Sequence, residues 1–471
     1  MGAGAMTRST RDTESSSGDA GRGPRIARSR QPVYALLLGS VIALFLLTLM
    51  ERTLGQLRPD PGVAAIRRAE SLGQPFDRRS RSQVVADLRA EGIEAVPRLV
   101  PAGLLEDGPE GGVRSRITSA GGELLPLAGI ANRTTVLCNE TGQWAVYEAD
   151  EHGFRNPPGA WRRIPADLLL VGDSFTIGEC VAPGETVADN LRLTWPATLN
   201  LGYSGNSPLL ELATLVEYAP ALRPRITLWL FFENDLSWFD LGRSAESPLL
   251  MSYLRAGFSQ DLLRRQPEID ARLASLLDSR IAQPDEQGPV AELEARRGSV
   301  GRRLLDFIRL KRTRLFLSRL RGRPAGSSRP LDHGLFREIL ARAREIVAAW
   351  QGEIVVVFLP GAWQFDPNAP APRWTRSDLA RAIRDDARSV GLDFVDVAAA
   401  LARQPDPLSH YSYRGESLLG SPHMNAAGYA LAASVIRDAI RQGSGTAEAG
   451  LSFPSSSASS PSARRSQISR Q

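Results

Sequence analysis

The stretch ADLLLVGDSFTIGE, residues 166–179, decides the fold class of this chain. Its first half, ADLLLVG, is a short apolar run that ends in glycine, which is typical of a buried strand. The polar pair that follows places Ser174 at a strand-to-helix turn. A serine there can present its hydroxyl at the end of a sheet, and its own N–H can point towards a developing oxyanion. Because the motif is not G-x-S-x-G, the alpha/beta-hydrolase nucleophile elbow does not fit.

Four later apolar runs have the same character: TLNLG (198–202), ITLWLFF (226–232), EIVVVFL (353–359) and LDFVDVA (392–398). Segments with helical periodicity lie between or after them, at 186–194, 208–219, 335–350, 376–390 and 425–441. This alternation predicts a doubly wound, flavodoxin-like α/β/α fold with about five parallel strands. Ligands of such sheets bind beyond the carboxyl ends of the strands. We therefore expect the functional residues just after strands.

Two loops that follow predicted strands carry candidate hydrogen-bond donors. The second strand leads into GYSGNSP, where Gly205 offers a backbone N–H that no side chain obstructs. The third leads into ENDL, where Asn234 offers a neutral amide donor. Each residue also has a structural interpretation, Gly205 as an ordinary loop glycine and Asn234 as an Asx turn or helix cap.

The segment SPHMNAAGY, which precedes the last predicted helix, contains His423. The chain has only 4 histidines, and the other three do not fall at an end of the α/β unit. Serine is a weak nucleophile at neutral pH and needs an adjacent base. Histidine titrates near the working pH, which makes it the usual choice. We predict that His423 is the general base for Ser174.

The four segments together resemble the SGNH (GDSL-like) hydrolase superfamily. The blocks GDSFT with Ser174, SGN with Gly205, END with Asn234 and PHMNAAGY with His423 occur in the family's order, over roughly 165–440. The resemblance implies that Ser174 is the nucleophile and His423 the base. It also implies an oxyanion hole formed by the N–H groups of Ser174 and Gly205 and the side chain of Asn234.

The sequence departs from the family pattern at two places. Members commonly carry Asp two or three residues before the histidine, where this chain has Ser421 and Gly420. Either Glu416 or another acid substitutes, or the site works as a Ser–His dyad. The second departure is Glu233, at a position where small residues are common. Glu233 and its neighbour Asp235 are candidates for an acid or a substrate contact, or are structural.

The run VYALLLGSVIALFLLTLM, residues 33–50, contains no charge over its 18 residues. This is close to the roughly 20 apolar residues of a membrane-spanning helix. The arginines that precede it predict a cytoplasmic N-terminus, so that the rest of the chain faces the periplasm or the cell exterior. A cleavable signal peptide is the alternative, although the run exceeds the usual apolar core and no A-x-A-like site follows closely. We expect a single-pass protein of the bacterial inner membrane.

Composition divides the remaining chain into segments. Residues 1–30 and 442–471 are rich in small and polar residues and predict disordered tails. Residues 55–160 predict an N-terminal extension with short strands, including a hairpin of Thr134–Leu137 and Trp144–Glu148. Residues 165–441 predict the hydrolase-like domain, interrupted by a helical insertion at about 240–330. Within it the arginine-rich segment 302–323 is either a basic amphipathic helix that touches a membrane or anionic polymer, or a solvated helix packed on the sheet.

Charge, cysteine content and motifs exclude several functions. The net charge of +5 is dispersed, with no basic face interleaved with aromatics, which argues against nucleic-acid binding. The two cysteines, Cys138 and Cys180, lack metal-ligand spacing. They form one disulfide outside the cytoplasm or remain separate buried thiols. No motif for a nucleotide, haem, flavin or divalent metal is visible, and GDSFTIGE lacks the Gly-Lys-Ser/Thr end of a phosphate loop, so no cofactor is expected.

The apolar run, the GFRNP lead-in at 153–157 and the GDSFT variant also look like membrane-anchored bacterial members linked to envelope polysaccharides. This resemblance implies an esterase that removes O-acyl groups, O-acetyl above all, from an envelope carbohydrate. Two alternatives stay open. A sugar hydroxyl instead of water could accept the acyl group, which makes an O-acetyltransferase. The missing acid also motivates an inactive scaffold. The expected partners are an acylated carbohydrate or other ester, the inner membrane and polysaccharide-assembly proteins.

Overall fold

The computed structural model describes residues 31–57, 66, 68–109, 111–281, 332–366, 376–415 and 423–443. Several predictions lie outside these residues: the tail before 31, the arginine-rich segment 302–323 and Glu416. The last helix continues to Gly443, two residues past its predicted end at 441.

Helix α1, Gln31–Leu57, covers the apolar run at 33–50. In the part of the chain that the structure describes, no helix combines the length and the apolar character that crossing a membrane requires. The transmembrane helix predicted at 33–50 is therefore not found among the described residues.

The described part of the N-terminal extension includes a helix and three small sheets. Helix α2, Arg81–Ala90, begins with a capping box in which Ser80 and Gln83 satisfy each other's backbone N–H groups. The strands are β1 Ala95–Pro97, β2 Leu105–Asp107, β3 Val113–Ser115, β4 Thr118–Ser119, β5 Gly122–Glu123, β6 Thr134–Cys138 and β7 Ala145–Glu148. Strand β6 pairs antiparallel with β7, as the predicted hairpin requires, and parallel with β1 on its other side. The other two sheets are the pairs β2–β3 and β4–β5.

The main sheet has five parallel strands, which confirms the predicted fold class. They are β8 Leu168–Gly172, β9 Thr198–Asn200, β10 Ile226–Phe232, β11 Glu353–Leu359 and β12 Asp393–Asp396. Their order in space is β12-β11-β10-β8-β9, and all pairs are parallel. The order along the chain therefore reverses at β8, between β9 and β10. This is the switch point at which doubly wound sheets form their ligand crevice.

Helices cover both faces of this sheet. They are α3 Ser174–Ile177, α4 Val187–Arg192, α5 Pro208–Leu222, α6 Pro248–Met251, α7 Gln266–Ile281, α8 His333–Ala348, α9 Arg376–Ser389, α10 Val397–Leu401 and α11 Ala426–Gly443. Alternate strand residues face opposite sides. Leu169 and Val171 lie in the core formed with α5, α8 and α9, whereas Leu168 and Leu170 lie in the core formed with α4, α10 and α11.

The extension shares the first of these cores. Leu104, Leu137 and Tyr147 are buried in the same apolar cluster as strand residues of the main sheet. The described part of the predicted insertion contributes Tyr253, just after α6, and Leu273 of α7 to that cluster. The extension thus packs directly on the hydrolase-like domain, on the side from which its loops reach the ends of the strands.

Candidate functional site

Strand β8 delivers Ser174 to the carboxyl end of the sheet. Gly172 has φ +153°, and a Cβ there would lie 2.6 Å from the carbonyl oxygen of Leu230 on the neighbouring strand. Only glycine permits this close approach. The side chain of Asp173 caps α3 by accepting a hydrogen bond of 2.9 Å from the N–H of Phe175. Ser174 is half-buried and is the first residue of this helix, so its own N–H has no intrahelical acceptor.

The GFRNP lead-in stabilises this turn through hydrogen bonds from Arg155. The buried guanidinium of Arg155 donates hydrogen bonds to the carbonyls of Gly178 (2.7 Å) and Val181 (2.8 Å), just past the end of α3. Asn200, at the end of β9, donates its amide to the carbonyl of Thr176 at 2.7 Å. These bonds satisfy carbonyls that a four-residue helix cannot satisfy itself. The lead-in motif therefore has a structural role next to the turn.

His423 lies against Ser174. Its Nε2 is 2.9 Å from Ser174 Oγ, and its side chain is only 13% exposed. The backbone of His423 is held by Ser412, whose N–H donates to the His423 carbonyl at 3.0 Å, and its ring packs beside Phe175. The structure thus brings together the two residues that the sequence predicted as nucleophile and base.

The other ring nitrogen of His423 contacts an acid that the sequence analysis did not identify. His423 Nδ1 lies 3.0 Å from both Oε1 and Oε2 of Glu140, and the His423 backbone N–H donates to Oε2 at 3.1 Å. Glu140 is buried and follows β6 in the extension. The carboxylate that the family carries just before its histidine is thus replaced by one from a distant part of the chain. The candidate Glu416 lies outside the described residues.

A disulfide attaches the Glu140 loop to the segment after Ser174. Cys138 and Cys180 are bonded, with Cα atoms 5.2 Å apart, which resolves the two alternatives left by the sequence. The hydroxyl of Thr141 also donates to the carbonyl of Cys180 at 3.3 Å. Because Cys180 lies six residues after Ser174, pairing of the cysteines was the signal that could have located Glu140.

Charges around His423 change its pKa. Burial lowers the pKa of His423, but the charge and hydrogen bond of Glu140, with smaller contributions from Glu179 and Asp173, outweigh burial and raise it to about 9. A nearby anion favours the imidazolium. In the free site, protonated His423 is therefore the main form at neutral pH. The neutral form, which can accept a proton from Ser174, becomes abundant only as the pH approaches 9.

A second polar chain links the extension to the loop that contains Gly205. Arg98, which follows β1, forms an ion pair with the buried Glu179 and donates to Ser204 Oγ at 3.2 Å. The Ser204 hydroxyl in turn donates to Glu179. Burial raises the pKa of Glu179, but Arg98, His423 and Ser204 together bring it below its ordinary value. Glu179 is therefore ionised, and the sequence analysis missed both it and Arg98.

Gly205 and Asn234 occupy the loops on either side of Ser174. Gly205 has φ +74° and follows β9, and the next residue, Asn206, donates its amide to the Gly172 carbonyl at 3.4 Å. Asn234 follows β10, and its amide nitrogen lies 3.4 Å from Asp240 Oδ2. A side-chain amide carries two N–H donors. The contact with Asp240 uses only one of them.

The other two candidates near the third strand make structural contacts. Asp235 is fully buried and accepts a hydrogen bond of 2.8 Å from the N–H of Phe232. Glu233 accepts hydrogen bonds from Trp363 and from Gln364 (3.0 Å), which ties the loop after β11 to the end of β10. Burial raises the pKa of Glu233 to about 7.

A group of buried carboxyls lies below the Ser174 turn. Burial raises the pKa of Asp173 to about 7 and that of Asp240 to about 6. Burial and mutual repulsion raise the pKa of Glu211 and Asp235 well above their ordinary values. The protonated forms are therefore favoured for Glu211 and Asp235.

The donor atoms of Glu140, Cys180 and His423 lie within 4.8 Å of one another, the spacing of a metal site. Cys180 is in the disulfide and offers no thiolate, and His423 Nδ1 already contacts Glu140. The Ser174 hydroxyl, the His423 imidazole and the Glu140 carboxylate, which contact one another in that order, are instead suited to moving a proton from Ser174 Oγ to His423 Nε2.

Comparison with known proteins gives a family match. A model of the GDSL-like lipase/acylhydrolase family matches residues 170–431, more than half of the chain and including both Ser174 and His423. No curated protein matches. Similar solved structures include a lipase/acylhydrolase from Enterococcus faecalis (15% identity, TM-score 0.32, covering 59% of this chain and 96% of that one). An alpha/beta hydrolase from the metagenome of Lake Arreo, Spain, has 14% identity and TM-score 0.32, with 60% and 97% covered. A mutant of an acetyl-xylooligosaccharide esterase from Geobacillus has 14% identity and TM-score 0.30, with 58% and 94% covered. On the family match, this chain belongs to the GDSL-like lipase/acylhydrolase family.

Proposed function

We propose that this protein is a serine esterase that removes O-acyl groups, O-acetyl above all, from an envelope carbohydrate. The observation that carries the proposal is the 2.9 Å contact between Ser174 Oγ and His423 Nε2 at the switch point of the sheet. A hydroxyl in contact with an imidazole is the arrangement that activates serine for attack on an ester. Membership of an acylhydrolase family supports ester bonds as the target.

The reaction has two steps. Ser174 Oγ attacks the ester carbonyl carbon while its proton passes to His423 Nε2, and the resulting imidazolium then protonates the departing sugar oxygen. The acyl group is left on Ser174. A water molecule next attacks the acyl carbonyl and gives its proton to His423, and collapse of this second intermediate returns the proton to Ser174 and releases the acid.

Negative charge develops on the carbonyl oxygen in both steps. The N–H groups of Ser174 and Gly205 and the amide of Asn234 stabilise this oxygen in our proposal. All three residues follow strands β8, β9 and β10 at the same edge of the sheet. Removal of one such donor from a serine hydrolase costs about 10²–10³ in kcat. These neutral donors also avoid a competing nucleophile.

The proposal of a carbohydrate substrate is inferred from sequence motifs. The GFRNP lead-in and the GDSFT variant resemble members linked to envelope polysaccharides. The alternative is an O-acetyltransferase, in which a sugar hydroxyl replaces water in the second step. The scaffold alternative was motivated by the absence of an acid near His423, and the contact with Glu140 removes that motive.

The proposal includes export of the domain. Residues 33–50 direct the chain to the inner membrane, with the N-terminus in the cytoplasm. The uncharged run and the preceding arginines support this topology. The Cys138–Cys180 disulfide is also typical of an oxidising compartment. A C-terminal fusion to a reporter that is active only in the periplasm should be active, and an inactive fusion would overturn export.

The nucleophile and base are tested by Ser174→Ala and His423→Ala in the full chain. Both should abolish release of p-nitrophenol from p-nitrophenyl acetate and labelling by a fluorophosphonate probe, whereas Ser71→Ala and His410→Ala should match wild type. Wild-type labelling of Ser174→Ala would refute the proposal. With a peracetylated disaccharide as donor and an unacetylated one as acceptor, free acetate indicates an esterase. Acetylated acceptor, detected by mass spectrometry, indicates a transferase.

A further inference from the structure

We infer that Glu140 is the positioning residue for His423, so that the extension before the hydrolase domain completes the active site. The inference rests on the proposed function and extends it, because neither the position nor the segment is where the family's orienting acid is expected. Four observations carry it: the contact geometry of Glu140 with His423, the burial of this pair, the anchoring of the Glu140 loop, and the position of His423 Nε2 against Ser174 Oγ.

The contact geometry fixes both the ring and the main chain of His423. Both carboxylate oxygens lie 3.0 Å from Nδ1, and Oε2 also accepts the backbone N–H of His423 at 3.1 Å. An anion at Nδ1 can only accept a hydrogen bond, so it selects the form of the ring that carries a proton on Nδ1. In the neutral ring, the lone pair of Nε2 then faces Ser174 Oγ at 2.9 Å.

Burial gives this contact its strength. The side chains of Glu140 and His423 are 6% and 13% exposed. Charged groups held in such a position are weakly screened, and the imidazolium that forms during the reaction would be costly without a nearby anion. Glu140 supplies that anion.

The loop that carries Glu140 is anchored on both sides. Cys138 is bonded to Cys180, and Asn139 donates its amide to the carbonyl of Asp77 at 2.9 Å. After Glu140, Thr141 donates to the Cys180 carbonyl, and the carbonyl of Gly142 accepts the N–H of Asp77 at 2.7 Å. A carboxylate on so constrained a loop is preorganised, as a positioning residue must be.

The test compares Glu140→Gln with Glu140→Asp, both in the full chain. Gln keeps the shape of the side chain, but its amide can donate a hydrogen bond to Nδ1. The ring proton of neutral His423 then lies on Nε2, so Nε2 cannot accept the proton of Ser174. We expect a loss of about 10²–10⁴ in kcat with little change in KM. Glu140→Asp should restore part of the rate. Glu91→Gln, the same substitution at an exposed extension site, should behave as wild type.

A pH profile separates positioning from a merely structural role. The acidic limb of kcat/KM should lie near pH 9 in wild type and move down by about two units in Glu140→Gln, towards the ordinary histidine value of about 6.5. Wild-type kcat, or a lost rate with an unmoved limb, would overturn the inference. Failure of the proposed function looks different: Ser174→Ala would then retain activity, whatever Glu140→Gln does.

Discussion

Both carboxylate oxygens of Glu140 lie 3.0 Å from Nδ1 of His423, although 283 positions separate the two residues along the chain. Glu140 lies in the extension, and His423 lies just before the last helix. The contact joins the N-terminal extension to the segment before the last helix, at the end of the sheet where Ser174 lies. The contact raises the pKa of His423. The Cys138–Cys180 disulfide anchors the loop that carries Glu140.

The first prediction concerns pH. Because Glu140 and the other acids raise the pKa of His423 to about 9, most of the imidazole is protonated below that pH and cannot accept the Ser174 proton. We expect kcat/KM for p-nitrophenyl acetate to rise about tenfold per pH unit from 6 to 8 and to level off above 9. Spontaneous hydrolysis is subtracted with Ser174→Ala. A profile already flat above pH 7 would contradict the prediction.

The second prediction concerns the disulfide, which closes a loop between positions 42 apart. In the chain-entropy model, closure of a loop of this length stabilises the protein by about 4 kcal/mol. The double variant Cys138→Ala/Cys180→Ala should therefore lower the free energy of unfolding and, because the Glu140 loop loosens, lower kcat as well. Urea unfolding and initial rates measure the two effects.

Reductant provides the control for this variant. Dithiothreitol should lower the stability and the rate of the wild-type protein under conditions that reduce the buried bond, and it should leave the double variant unchanged. A double variant with wild-type kcat would show that the other anchors of the loop suffice.

The third prediction concerns the buried ion pair of Arg98 and Glu179, whose side chains are 16% and 4% exposed. Arg98→Met leaves Glu179 without its cation and should lower the free energy of unfolding by about 3–5 kcal/mol. Arg78→Met, which breaks an exposed pair with Glu70, should cost no more than about 1 kcal/mol. Equal losses in urea unfolding would argue against a special role for the buried pair.

The fourth prediction concerns Glu211, whose pKa is raised by burial and by Asp173. The folded protein keeps this proton at pH values where the unfolded chain releases it. Its contribution to stability is complete below the unfolded pKa and is lost as the pH rises through the folded pKa, by up to about 1.4 kcal/mol per unit. Glu211→Gln should thus lose less stability than wild type between pH 5 and 8 in urea titrations. Glu91→Gln should follow the wild-type slope.

The fifth prediction concerns the glycine before the nucleophile turn. In Gly172→Ala the new methyl group would lie 2.6 Å from the Leu230 carbonyl and 2.1 Å from Thr176 Oγ1. Since the carbonyl belongs to a central strand, the turn must shift, and we expect at least a tenfold loss of kcat together with a lower Tm. Gly121→Ala, where the nearest atom is a side-chain oxygen 3.9 Å away, should be neutral. Wild-type activity in Gly172→Ala would mean that the turn tolerates the shift.

The sequence alone determined the sheet and the location of the crevice. The runs 226–232 and 353–359 form strands with the predicted bounds, because continuous apolar runs of that length, between helical segments, favour a strand buried on both faces. Ser174 and His423 could be singled out because one follows a strand and the other precedes the last helix. Such local signals depend on neighbouring residues, which a single sequence contains.

Only the tertiary structure decided which acid faces His423. Glu140 has no local signal: it is one of many acids in the chain, and it lies in a loop of the extension rather than near the histidine. Its position depends on the packing of β6 beside the sheet and on the pairing of two cysteines. The same holds for Arg98 and Glu179. Contacts between residues that are distant in sequence arise from packing, and hydrophobic periodicity does not predict them.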